Sequence, residues 1–102
     1  MALPPRNHRI TLADAAAHTR RHRDAKLHEV RAGAFHKDQV LELLGQPGCA
    51  GLRIYHGRDE KGAPTFVLVG TDAAGGDLTA GTILEVMFPC PPWCAQGSAL
   101  AE

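Results

Sequence analysis

The chain has 102 residues, 44% of them apolar and 22% charged, with 11 acidic side chains against 11 Lys and Arg. That length holds one modest core, and the composition excludes wholesale disorder. No apolar run approaches the roughly 20 residues of a membrane-spanning helix, and the N-terminus lacks a leader's apolar stretch, so a cytoplasmic protein that leaves membranes alone is expected.

Residues 1–10 contain Pro4 and Pro5 and read as an irregular arm. Thr11, with Asp14 three residues on, is a helix-capping pattern. It opens a helix expected over 11–28, rich in Ala, Arg and Lys. Leu12, Ala15, Ala16, Thr19 and Arg23 share one stripe of it, short of large apolar groups, so close packing through alanine is expected. Gly33 ends that run. A second helix is expected over 36–45, with Val40, Leu43 and Leu44 as its apolar face and Gly45 at its end. Residues 46–51 form a turn segment.

Three strands follow. Residues 51–56 alternate as a half-buried strand does, 65–70 are continuously apolar, and 82–88 alternate again with Leu84, Val86 and Phe88 on one face. Connections of about eight to twelve residues suit antiparallel hairpins, because parallel crossovers need a helix. The expected fold is therefore α+β, with two N-terminal helices packed on a three-stranded antiparallel meander. It would span 11–89 as a single domain, followed by a Pro/Cys tail over 90–102. Phe35, Val40, Leu43, Leu44, Ile54, Leu68, Leu84 and Val86 are its expected core.

The charge is zero overall but divided. Residues 1–37 hold eight Lys/Arg and three Asp/Glu, a balance of +5, and residues 38–102 hold the reverse, −5. The basic part can meet an acidic partner or the acidic part of another copy.

Two histidines and two cysteines are the first candidates for chemistry. His18 and His22 are one helical turn apart, and with Cys90 and Cys94 they are the donor types of a tetrahedral zinc site. Arg20, Arg21 and Arg23 around them disfavour a cation, and the plainer reading is a solvated basic helix face. Zinc is accordingly the one cofactor considered, and otherwise none is expected. Cys90-Pro91-Pro92-Trp93-Cys94 also invites a redox reading. Its three-residue spacer departs from the thioredoxin-like motif and no helix N-terminus is in view to stabilise a thiolate, so a structural disulfide or packed thiols fit better.

Nucleic-acid binding by Arg20, Arg21, Arg23, Lys26 and Arg31 is disfavoured. Asp24 and Glu29 interrupt the run, and Tyr55 alone is placed for base stacking. Asp72 to Asp77 lacks the oxygen donors of a calcium loop, and Gly75-Gly76 lacks the Lys and Ser/Thr of a phosphate loop. No catalytic triad or carboxylate pair stands out, so an enzyme is not expected.

The segments Gly48-Cys49-Ala50-Gly51-Leu52-Arg53-Ile54-Tyr55, Val67-Leu68-Val69-Gly70 and Gly76-Asp77-Leu78, closed by Cys90-Pro91-Pro92-Trp93-Cys94, resemble a group of small bacterial proteins of unassigned function. The resemblance spans most of residues 10–94 and implies no activity, cofactor or site residue. The residues themselves point to a non-catalytic interaction protein or one that assembles with copies of itself into a homo-oligomer, as a ring or filament. Trp93, Arg20, Arg21 and Arg23 are its expected interface. The alternative is a zinc-binding or small regulatory protein built on His18, His22, Cys90 and Cys94.

Overall fold

The computed structural model describes residues 1–26 and 30–101. They form two α-helices and two antiparallel sheets, one of two strands and one of three. The elements run α1 (Leu12–Ala25), β1 (Ala32–Ala34), α2 (Lys37–Leu44), β2 (Gly51–Arg58), β3 (Pro64–Thr71), β4 (Ile83–Leu84) and β5 (Phe88–Cys90). The chain groups into two compact units, Met1–Pro5 with Phe35–Phe88, and Arg6–Ala34 with Pro89–Glu102.

In the first unit, the expected meander is present. β2 and β3 pair antiparallel in unbroken register from Gly51↔Thr71 to Arg58↔Pro64, and β3 pairs β4 through Leu68↔Leu84 and Val69↔Ile83. β3 is central and apolar, so Leu68, Val69, Gly70 and Thr71 are all buried, as a strand with neighbours on both sides should be. α2 packs over β3 and β4, and its Leu43 is fully buried.

The expected core needs correction at three positions. Leu44 is 41% exposed, Ile54 56% and Val86 88%. Phe35, Val40 and Leu84 are half-buried. A helix of eight residues presents one narrow stripe to a sheet. Val40 and Leu43, three apart, occupy that stripe, whereas Leu41 and Leu44 lie on the next one round. Ile54 pairs with Leu68 across the strands and shares its face. Leu68 lies on the central strand β3, whereas Ile54 lies on the outer strand.

The third strand is also shorter than expected. Only Ile83 and Leu84 pair with β3, and Phe88–Cys90 pairs instead with β1, a strand absent from the sequence reading. Just past that pairing, the Glu85 carboxylate accepts a hydrogen bond from the Thr65 hydroxyl at 2.7 Å.

In the second unit, α1 starts as its capping pattern predicts. The Thr11 hydroxyl oxygen accepts from Asp14 N at 3.1 Å. Ala16 is buried and Ala15, Thr19 and Arg23 are half-buried on the expected stripe, although Leu12 is 63% exposed. The helix ends at Ala25, and Lys26 caps it in the left-handed region at φ 52°, donating its N–H to Arg23 O. The expected extension of the helix into residues 27 and 28 lies outside the described residues. Arg23 donates from its guanidinium to Leu100 O at 2.9 Å, and Arg31 N donates to Cys90 O at 2.7 Å.

Candidate interaction surface

The outer strand β2 carries the exposed apolar side chains Leu52 (38%), Ile54 (56%) and Tyr55 (46%). Successive residues of a strand alternate between faces. Leu52, Ile54 and His56 therefore line one face, and Arg53, Tyr55 and Gly57 the other. His56 stands directly across from Phe66, with their rings edge to face at 5.4 Å.

On the opposite face the loop after β3 is tied back onto β2. Asp77 accepts a hydrogen bond from the Tyr55 hydroxyl and one from the Arg53 guanidinium, both at 2.5 Å, and Arg53 also donates to Gly75 O. The Tyr55 hydroxyl, followed by Arg53, holds the Asp77 carboxyl below its ordinary pKa. The bond to Asp77 raises Tyr55, because a phenol donating to a carboxylate is harder to deprotonate, and it likewise raises Arg53.

That loop is built by local hydrogen bonds. Asp72 accepts from Ala74 N and Gly76 N, which closes a turn over residues 73–75. Gly75 sits at φ 86°, and a side chain there would collide with the Met1 carbonyl. Gln46 donates to Leu43 O and accepts from Thr82 N, which joins the end of α2 to the approach to β4. Its amide lies so close to Gly81 that a Cβ at that position could not fit.

A shallow cleft of about 440 Å³ opens at the tip of the β2–β3 hairpin, lined by residues that include Arg58, Asp59, Lys61, Thr65 and Glu85. Its polar groups serve the fold. Asp59 accepts from Lys61 N and Ala63 N, Arg58 donates to Gly62 O, and Thr65 donates to Glu85. The carboxylates of Asp59 and Glu85 are thus engaged by the chain's own donors.

The candidate zinc ligands are not gathered. Cys90 and Cys94 are joined by a disulfide, and the described residues contain no group of three or more His, Cys, Asp or Glu side chains arranged to hold a metal ion. His18 Nδ1 lies 2.6 Å from the Arg21 guanidinium. A guanidinium only donates, so this nitrogen accepts from a cationic neighbour. Cys49 is half-buried with a free thiol that donates to Gly51 O.

Of the expected interface residues, Arg20 and Arg21 are exposed on α1. Arg23 is bound to the tail carbonyl of Leu100. Trp93 is 63% exposed within the disulfide-closed segment, its N–H donating to Pro89 O. The sequence reading missed Leu52 and Ile54 as surface groups, and it missed the Arg53–Tyr55–Asp77 cluster. The signal for the first was available, since any end strand of a three-stranded sheet is half uncovered. The cluster joins residues more than 20 positions apart, and no local pattern announces it.

No helix among the described residues is long and apolar enough to cross a membrane. Comparison with protein families, with curated proteins and with solved structures gave no match.

Proposed function

We propose that this chain is a non-catalytic, cytoplasmic interaction protein whose partner is another copy of itself. The observation that carries the reading is the exposure of Leu52 and Ile54 on one face, and Tyr55 on the other, of a strand that ends its sheet. Apolar side chains grouped on a sheet edge favour association over solvent exposure. Zero net charge, divided between a basic and an acidic part of the chain, leaves little long-range repulsion between copies. Trp93 supports the reading from the other unit, because exposed aromatic groups in stiff segments make effective interface anchors.

Sedimentation of the purified chain at high micromolar concentration, in low salt and in 1 M salt, tests it. A species larger than the monomer is expected. A basic-to-acidic contact weakens as the screening length falls to about 3 Å at 1 M salt, whereas apolar and strand contacts persist. A strict monomer in low salt would overturn the reading. Trp93→Ala yields a smaller or weaker assembly if the tail takes part.

A further inference from the structure

We infer that two copies join through β2, antiparallel about a two-fold axis centred on Ile54, so that two three-stranded sheets become one of six strands; this specifies the self-assembly proposed above and rests on it. The three-stranded sheet has two edges, β2 and β4. Proteins blunt sheet edges by keeping them short, by placing Lys or Pro on them, or by bulging them. β4 is blunted by length, with two residues. β2 lacks most of these protections. It is eight residues long, contains neither Lys nor Pro, pairs with β3 without a bulge, and has its charged Arg53 and Arg58 engaged within the chain by Asp77 and Gly62 O.

The side chains select the register. A two-fold axis perpendicular to the sheet keeps each face continuous, so residues opposite one another have the same parity. Centring the axis on Arg53 sets two guanidinium groups directly opposite, which like-charge repulsion disfavours. Centring it on Tyr55 sets Leu52 against Arg58 of the other copy. Centring it on Ile54 sets Ile54 against Ile54, Leu52 against His56, and Arg53 against Tyr55. In that last arrangement no two cations are opposed. Each Arg53, paired with Asp77 of its own copy, faces the other copy's Tyr55, whose hydroxyl is likewise bonded to Asp77, and the symmetry repeats the contact.

The geometry also stops growth. Each copy has one long edge, and two-fold pairing consumes both. The remaining β4 edges are too short to recruit further copies, so the assembly is a closed dimer, where the sequence alone suggested a ring or filament. Its anchor is apolar and backbone pairing, and its mass is therefore the same in low salt and in 1 M salt.

The test uses the full chain with Cys49→Ser, in which a nitroxide is attached at Ile54→Cys or, separately, at Lys61→Cys in the hairpin turn. Paired as inferred, the two labels at position 54 lie side by side and broaden the spin spectrum. Those at 61 are roughly 40 Å apart, given about 3.3 Å per strand residue, and do not broaden it. Ile54→Lys, at a site exposed enough to tolerate it, gives a monomer with an unchanged circular dichroism spectrum. A label at 54 that itself splits the dimer supports the inference in the same way. A dimer that survives Ile54→Lys, or broadening at 61 without broadening at 54, overturns the β2 contact while leaving self-assembly standing. A monomeric unmodified chain overturns both.

Discussion

The two units of the chain are held by different means. The sheet unit relies on burial. Leu43, Leu68, Val69 and Thr71 are its least exposed side chains, all on or against one central strand. The unit containing α1 and the tail buries little, with Ala16 and Cys90 as its buried apolar residues. It relies on specific ties, namely the Cys90–Cys94 disulfide, the Arg23–Leu100 and Arg31–Cys90 hydrogen bonds, and the Thr11 cap. Few aromatic residues were available to build two cores, 5% of the chain. The difference teaches where each unit should be vulnerable. One should answer to side-chain volume, the other to covalent and polar chemistry.

The largest effect should follow from Leu43→Ala, because the helix meets the sheet through this fully buried side chain. A cost of about 2–5 kcal/mol is expected, a large part of the stability of a domain this size. Hydrogen exchange should show lost protection at β3 amides and little change along α1. Equal loss in both units would break the comparison, and a cost below about half a kcal/mol would place the load elsewhere in the sheet.

Reducing the Cys90–Cys94 disulfide should act on the other unit. The bridge closes a loop across a sequence separation of 4, and short loops give the least entropic stabilisation, on the order of 2 kcal/mol in the chain-entropy model. A dithiol reductant should therefore lower the protection of the Arg31 amide, which donates to Cys90 O, and leave the β3 amides as they were. Loss confined to β3 would reverse the assignment. Wherever thiol reductants are present the bridge is open to reduction, so its redox state belongs in any measurement of assembly through Trp93.

What the sequence disclosed follows from how local each signal is. The Thr11 cap, the alanine stripe and the continuous run of β3 depend on neighbours within a turn or within one strand, and each stands as read. Ile54 and Leu44 did not become buried, because alternation and helical spacing say which side chains share a face and not how much of that face a helix of eight residues covers. The strand expected over 82–88 pairs with β3 only at Ile83 and Leu84, since alternation marks a face and not how far a ladder runs. β1, Ala32-Gly33-Ala34, has no side chain that advertises a strand and exists through its pairing with β5. At the candidate surface, Trp93, Arg20 and Arg21 were legible as exposed groups. The Arg53–Tyr55–Asp77 cluster needed the fold to bring the loop onto β2.

The smallest effect concerns that cluster and sharpens what polar ties contribute within the burial-driven unit. Its members are solvent-accessible, with Arg53 and Asp77 side chains 32% and 21% exposed, and water screens such pairs. The sign is nevertheless determined at both ends of the pH range. Asp77 titrates lower in the folded chain than its ordinary 3.8, so it stabilises the fold above that value, and the contribution is lost as pH falls through the depressed folded value. Tyr55 is raised above its ordinary 10.0. The fold favours its neutral phenol, so this contribution is complete below 10.0 and is lost as pH rises through the raised value. Thermal melts across pH should show a shallow decline at each end. Asp77→Asn should flatten part of the acid limb, with Glu85, also lowered by its hydrogen bonds to Val86 and Thr65, supplying the remainder. Tyr55→Phe should flatten the alkaline limb and spare the acid contribution of Arg53 with Asp77. An acid limb unchanged in Asp77→Asn would mean that the Arg53 bond to Gly75 O, without the carboxylate, holds the loop on β2.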